Sequence, residues 1–141
     1  MKTILLSSFA MFLVLFSAQV SAQEQPNHNH DKNYVVLTKK VDQLKPILLT
    51  AEALAKEDGE QFGEFQVIIC GKDISQLTNE SKIAPFVEQA GKLGVELVAC
   101  GFSLNKFEVD RNEIPKEMTV VENGILHNLQ LQKKGFYSLG L

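Results

Sequence analysis

Two cysteines carry the chemistry that this sequence offers. Cys100 ends the short apolar run Val95–Cys100 and is followed at once by Gly101. Open α/β sheets bind their ligands at the carboxyl ends of their strands, so a thiol here lies where such folds place their chemistry. A thiol before a helix also faces unpaired N–H groups and the helix dipole, which favour the thiolate. Cys100 is therefore a candidate nucleophile, and the alternative is a small apolar residue that closes a buried strand.

Cys70 occupies the same kind of position, at the end of the apolar run 65–70 and directly before Gly71. The two cysteines can form one disulfide, remain free thiols or cycle between the two states. The sequence leaves these alternatives open. For Cys70 alone, a buried and unreactive core residue is the other interpretation.

The N-terminus predicts export. Lys2 supplies a positive start, residues 3–16 are apolar or small, and Val20-Ser21-Ala22 is a small-residue cleavage pattern. The apolar segment is short for a membrane span of about 20 residues, and no other stretch is long enough. We expect a signal peptide over 1–22 and a periplasmic or secreted mature protein without a membrane segment.

Residues 23–33 are polar, contain Pro26 and lack periodicity, which predicts a flexible lead-in. His28 and His30 lie in this segment. Because no third ligand is near them, they favour a solvated tail over a metal site, and we predict no metal.

Composition excludes several function classes. The chain has 14 Lys and Arg against 17 Asp and Glu, a net charge of -3, and loss of Lys2 with the signal peptide makes it one unit more negative. No basic face gathers, so nucleic acid is not an expected partner. No P-loop or dinucleotide fingerprint is present, and we predict no cofactor. The remaining length of about 120 residues fits one domain, over 34–141.

Short apolar runs alternate with helical periodicity along that domain. The runs 34–37, 65–70, 95–100, 118–121 and 136–139 are predicted strands, and 103–109 is a short helix or turn. Pro46 places the start of the first helix close to it, Gly94 ends the second, and Ile125, Leu126 and Leu129 are expected to face inward from the last. Strict alternation predicts a three-layer α/β domain with a five-stranded parallel sheet.

The chain from Tyr34 to Leu141 resembles the DsrE/DsrF group of small α/β proteins, especially its exported members. Four segments carry the resemblance: VIICG at 67–71, GVELVACGFSLNKFEV at 94–109, Glu122-Asn123-Gly124 after a strand, and LQLQKKGFYSLGL at 129–141. The resemblance implies the strand order 4-3-2-1-5 and assembly into trimers or hexamers. It also implies a sulfur relay in which the residue matching Cys100 carries a persulfide for a donor or acceptor protein. Those relays work in the cytoplasm, whereas this chain has a predicted signal peptide.

The strand order decides whether the cysteines meet. In the order 4-3-2-1-5, strands two and three are neighbours about 4.8 Å apart, which brings both thiols within the range of a disulfide. In a flavodoxin-like order, strand one separates them. If they meet, Cys70 is a candidate resolving thiol that attacks a Cys100 persulfide and releases sulfide.

Other candidates for the site are weaker. Gly101 and Ser103 are candidate substrate-binding residues, and Ser103 and Asn105 alternatively cap the short helix. Lys72 and Lys106 suit a thiolate or an anionic substrate, or are ordinary solvated charges. His127 is expected at the edge of the last helix, and no Ser-His-Asp or Cys-His spacing is evident.

The leading hypothesis is an exported sulfur-handling or thiol-redox protein that uses Cys100. The alternative is an oligomeric binding or scaffold module without thiol chemistry. Self-association is expected in both cases, from the family resemblance and because Phe136, Tyr137, Leu139 and Leu141 place apolar residues near the C-terminus. The alternative for Phe136 and Leu139 is that they belong to strand five and face the core.

Overall fold

The computed structural model describes residues 31–141 and contains a five-stranded parallel sheet. Its strands are β1 (Lys32–Thr38), β2 (Phe62–Ile69), β3 (Val95–Cys100), β4 (Thr119–Val121) and β5 (Tyr137–Gly140). Its α-helices are α1 (Leu44–Asp58), α2 (Glu80–Leu93), α3 (Gly101–Lys106) and α4 (Gly124–Lys133). The strand order is β4-β3-β2-β1-β5, and every pair is parallel. The predicted fold class is confirmed.

Two sequence predictions fall on the N-terminal segment. The predicted signal peptide 1–22 and the pair His28 and His30 lie outside the described residues. β1 begins at Lys32, inside the segment 23–33 that the sequence suggests as a lead-in. No helix within residues 31–141 is long and apolar enough to cross a membrane.

The strand order explains why the helices cover two faces. From β1 to β4 each strand is added on the same side of its predecessor, and right-handed crossovers then place α1 and α2 on one face. From β4 the chain returns past β3, β2 and β1 to form β5, and α4 lies on the opposite face. All strands end at one edge of the sheet, where Cys70 and Cys100 are found.

The core is built around the two central strands. Residues 65–69 of β2 and 97–100 of β3 are buried throughout, as expected for strands covered on both faces. From α1 and α2, the chain adds the buried residues Leu44, Ile47, Leu48, Ala51, Ile83 and Ala90. Each fully buried aliphatic side chain contributes about 1.5–3 kcal/mol of transfer free energy.

Most helix limits agree with the sequence signals. Pro46 is the third residue of α1, within the first turn, where a missing N–H costs no hydrogen bond. Gly94 ends α2 in a left-handed conformation with φ 68°. The short helix after Cys100 starts earlier than predicted, at Gly101, and the 3-10 segment Lys72–Thr78 was not predicted.

The predicted orientation of α4 is wrong. Ile125, Leu126 and Leu129 are 61%, 52% and 51% exposed, and the residues that face the sheet are Gly124, His127, Asn128 and Leu131. Gly124 permits the helix to start in direct contact with the sheet, and His127 meets the polar Gln66 of β2. These two contacts rotate the apolar stripe outward.

At the end of the sheet opposite the two cysteines, an ion pair and a tyrosine hydroxyl join the start of β1 to the end of α1. The Tyr34 hydroxyl and the Lys32 ammonium donate to Asp58 at 2.6 Å and 2.7 Å, and Tyr34 also stacks on Phe62 and Tyr137. Hydrogen bonds from Lys32 and Tyr34 lower the pKa of the Asp58 carboxyl. Burial and the Asp58 hydrogen bond raise the pKa of Tyr34 to about 12.

This cluster predicts a pH-dependent difference between wild type and Tyr34→Phe. The variant keeps the ring but loses the hydrogen bond to a carboxylate, so its free energy of unfolding at neutral pH should be about 1–2 kcal/mol lower than that of wild type. The folded state favours the neutral phenol, so its contribution is complete below the ordinary pKa of about 10 and is lost as pH rises towards 12. Urea unfolding at several pH values should therefore show the gap closing above pH 10. A gap that stays constant with pH contradicts the assignment.

Candidate functional site

The two cysteines lie side by side at the carboxyl edge of the sheet. Ile69, the last residue of β2, pairs with Ala99 of β3, so Cys70 directly follows β2 and Cys100 is the last residue of β3. Both thiols are free, and Cys70 and Cys100 are only 6% and 3% exposed. The site is therefore a pair of adjacent buried thiols.

Gly124, at the start of α4, covers the two thiols from the face of the sheet opposite α1 and α2. Its N–H donates to Cys100 Sγ at 3.3 Å. A Cβ on this residue would lie 2.7 Å from Cys70 Sγ and 3.1 Å from Cys100 Cβ. Only a residue without a side chain fits between the helix and the two thiols.

Ser103 supplies a second set of donors. Its hydroxyl oxygen accepts the Gly71 N–H at 2.9 Å, and this leaves the hydroxyl proton free to point at Cys100. Gly71 has φ 77° and ψ -171°, a backbone conformation that is essentially restricted to glycine. The strand-to-glycine step after Cys70 thus orients the serine that hydrogen-bonds Cys100.

These contacts favour ionisation of Cys100 over that of Cys70. Burial by itself raises the pKa of Cys100, but hydrogen bonds from the Ser103 hydroxyl, the Gly124 and Ser103 N–H groups and the Cys70 thiol together lower that pKa below its ordinary value. Burial, the nearby charge of Cys100 and the hydrogen bond to it raise the pKa of Cys70 to about 12. The pair therefore holds one proton on Cys70 while Cys100 ionises, since two adjacent buried thiolates repel each other.

Cations surround this edge of the sheet. The Arg111 guanidinium donates to both carboxylate oxygens of Glu122 at 2.8 Å and 3.2 Å. It also lies against Gly101, where a Cβ would be 2.8 Å from Arg111 Nη2 and 3.0 Å from the Val121 carbonyl oxygen. Lys39, after β1, is close enough to act on Cys70 through its charge. Because Arg111 is paired with Glu122, its positive charge is largely compensated, and Lys39 is the cation whose charge acts on Cys70.

The remaining sequence candidates lie farther from the thiols. Lys72 and Asn105 are exposed, and Lys106 lies 5.8 Å from the centre of the Phe107 ring. His127 Nε2 donates to Gln66 Oε1 at 2.9 Å, one turn of α4 away from Gly124. Cys100 itself is the N-cap of α3, without a side-chain cap. Within residues 31–141, no group of three or more His, Cys, Asp or Glu side chains could hold a metal ion.

Sequence reasoning found both thiols but missed Gly124 and Arg111 as parts of the site. Gly124 carries a readable signal, since Asn123-Gly124 follows a strand and Asn123 caps α4 by accepting the Ile125 and Leu126 N–H groups. A helix that starts at the same sheet edge as two cysteines must pass close to them. Arg111 carries no such signal, because its contact with Gly101 depends on the course of an irregular loop.

Two solved structures share the fold. The MTH1491 protein of unknown function from Methanobacterium thermoautotrophicum aligns with a TM-score of 0.63 at 19% identity, over 79% of this chain and 100% of its own. The BT1422 protein of unknown function from Bacteroides thetaiotaomicron gives 0.57 at 18% identity, over 77% and 95%. At this identity the likeness extends to the fold alone. No protein-family model and no curated protein sequence matches the chain.

Gly124→Ala tests the close approach at the site. The added methyl group would meet Cys70 Sγ and the Ile68 methyl at 2.7 Å and 2.8 Å, so we expect a loss of about 1–3 kcal/mol in the free energy of unfolding. Gly91→Ala is the matched control, because it lies in α2 with no atom within 4 Å of its Cβ position and should be neutral or stabilising by up to about 1 kcal/mol. Equal unfolding free energies for the two variants would contradict this packing.

Ser103→Ala tests the hydrogen bonds to Cys100. Removing the hydroxyl removes a donor to the thiolate, so the midpoint of Cys100 alkylation by iodoacetamide should move to higher pH. The measurement compares Cys70→Ala with Cys70→Ala/Ser103→Ala, so that Cys100 is the one thiol followed. Asn105→Ala, an exposed change two residues away, is the control and should leave the midpoint unchanged. A thiol that reacts only after unfolding would identify Cys100 as an inert core residue.

Proposed function

We propose that this protein is an exported sulfur-handling protein of the DsrE type, in which Cys100 accepts and carries sulfur as a persulfide. The observation that carries the proposal is the pair of adjacent buried thiols in which the Gly124 N–H donates to Cys100 Sγ at 3.3 Å, an environment that lowers the pKa of Cys100 despite its burial. A thiolate, and not a thiol, is the nucleophile in sulfur transfer.

Loading is a simple transfer of sulfane sulfur. The Cys100 thiolate attacks the outer sulfur of a donor persulfide, R–S–SH, forms a new S–S bond and expels R–S⁻ as the leaving group. The charge is conserved, and no oxidant is required. The cations Arg111 and Lys39 lie at the edge of the site.

Cys70 has two roles in this proposal. While Cys100 is a thiolate, the Cys70 thiol donates a hydrogen bond to it. After loading, Cys70 attacks Cys100 Sγ, forms the disulfide and releases the outer sulfur, with the Cys70 proton, as H₂S. Burial raises the pKa of Cys70 and keeps its thiolate scarce, so this release is slow at neutral pH and accelerates as pH rises.

In this proposal Ser103 acts on Cys100 and Gly101 packs against Arg111, so neither residue binds substrate. Gly101 is buried under Arg111, and both hydrogen-bonding partners of the Ser103 hydroxyl belong to the protein. The sequence resemblance and the strand order 4-3-2-1-5 support the assignment to the DsrE type. The predicted signal peptide supports export, which would bring the two thiols into an oxidising compartment.

Intact mass after exposure to a low-molecular-weight persulfide tests the proposal. Wild type should gain 32 Da, the mass of one sulfur atom, on Cys100, and Cys100→Ser should gain none. The persulfide should decay faster as pH rises in wild type, with a slower and flatter decay in Cys70→Ser. If Cys70→Ser loads and releases sulfur at the wild-type rate at every pH, Cys70 is a core residue. If neither wild type nor Cys70→Ser gains mass, sulfur handling is rejected.

A binding or scaffold module is the second candidate function. The observation that favours it is the apolar surface of α4, where Ile125, Leu126 and Leu129 are each more than half exposed. β5 adds a sheet edge with Tyr137 and Leu139 exposed at 63% and 55%, whereas Phe136, directly before β5, is buried in the core and adds no apolar surface. Such surfaces are typical of self-association, which we also propose for the sulfur-handling protein. A chain that self-associates but accepts no sulfur would establish this second function.

A further inference from the structure

An open groove of about 650 Å³ runs between α2 and the loop that precedes β4. Its floor includes the buried Leu77, Ile83 and Ile114, together with half-buried Val87. Ala84, Val87 and Gly91 follow one face of α2, and nothing lies within 4 Å of the Cβ position of Gly91. None of the residues of the thiol site lines the groove, so the groove is a second site, distinct from the two thiols.

Both walls of the groove are acidic. Glu80 and Glu88 stand on the α2 wall, Glu113 and Glu117 stand on the loop wall, and Lys116 is the one cation among the lining residues. Glu88 is neutralised by Lys92 at 2.7 Å, whereas the other three glutamates have no ion-pair partner within residues 31–141. An apolar floor between acidic walls is complementary to a ligand with an apolar stripe and positive flanks.

We propose that this groove binds a basic amphipathic helix of a partner protein. The α2 wall extends from Glu80 to Gly91, about 16 Å or three helical turns, which matches a helical segment better than a single small ion. Small residues along α2 let a second helix approach closely. Helix-in-groove recognition uses one apolar stripe for contact, and the flanking charges select the partner. A second copy of this chain is a poorer match, because the whole chain carries a net charge of -3.

A model peptide tests the groove directly. The probe is a fluorescent helical peptide of Leu and Lys, with its leucines on one face, and the readout is anisotropy at low and moderate salt. Wild type should bind with an affinity that falls as salt rises. Glu113→Lys/Glu117→Lys should weaken binding about tenfold or more, which corresponds to about 1.4 kcal/mol. Gly91→Gln should weaken it similarly by filling the groove, whereas Gly91→Ala should not.

Glu57→Lys/Glu60→Lys is the matched control, because it makes the same charge change at exposed positions outside the groove. It should alter binding less than about twofold, and in NMR spectra the peptide should shift the methyl signals of Ile83, Val87 and Ile114. A wild-type pH midpoint of Cys100 alkylation in each variant reports that the fold is intact, because the lowered pKa of Cys100 depends on its folded surroundings. The proposal is overturned if the control variant weakens binding equally, or if the methyl shifts lie elsewhere in the protein. It is also overturned if a peptide of Leu and Glu binds equally tightly, or if the Leu and Lys peptide does not bind at about 1 mM. A self-association that Gly91→Gln abolishes would make a second copy the occupant and overturn it too.

Discussion

The contact between Gly124 and the two thiols is the constraint on which the rest of the structure depends. Because this residue has no side chain, α4 starts against the sheet and its first N–H reaches Cys100. The close approach of α4 to the sheet also sets the rotation of the helix. His127 and Leu131 therefore face the sheet, and the apolar side chains of Ile125, Leu126 and Leu129 face outward. One glycine therefore shapes both the electrostatics of the thiols and the apolar surface beside them.

Hydrogen bonding distinguishes the two cysteines, in addition to a burial penalty that is the largest cause of the raised pKa of Cys70. Both are nearly inaccessible, and burial opposes the thiolate form of each. Cys100 receives donors from α3, from α4 and from the end of β2, whereas the same geometry makes Cys70 a donor to Cys100. Two adjacent thiols in one low-dielectric space cannot both ionise easily, so an advantage for one becomes a penalty for the other. This asymmetry assigns the nucleophile and the proton donor.

Much of the fold could be predicted because its signals are local. The apolar runs at β2 and β3 and the glycine after α2 are readable from neighbouring residues alone. The rotation of α4 could not be read in this way. Its leucines and isoleucine suggest an inward stripe, yet the polar Gln66 on β2 and the close approach of Gly124 decide the outcome through tertiary contacts. The same distinction applies to the site, where Cys100 was evident but Arg111 was not.

The central claim is that Cys100 ionises while Cys70 keeps its proton, and NMR can follow both thiols at once. In the reduced wild-type protein labelled with ¹³Cβ-cysteine, each Cβ signal moves when its own thiol ionises. We predict that the Cys100 signal moves first, below the ordinary thiol pKa of about 8.5, and that Cys70 remains protonated until the pH is close to 12. If Cys70 ionises first, or if both signals move together near pH 8.5, the hydrogen bonds to Cys100 do not control this pair and the account is wrong.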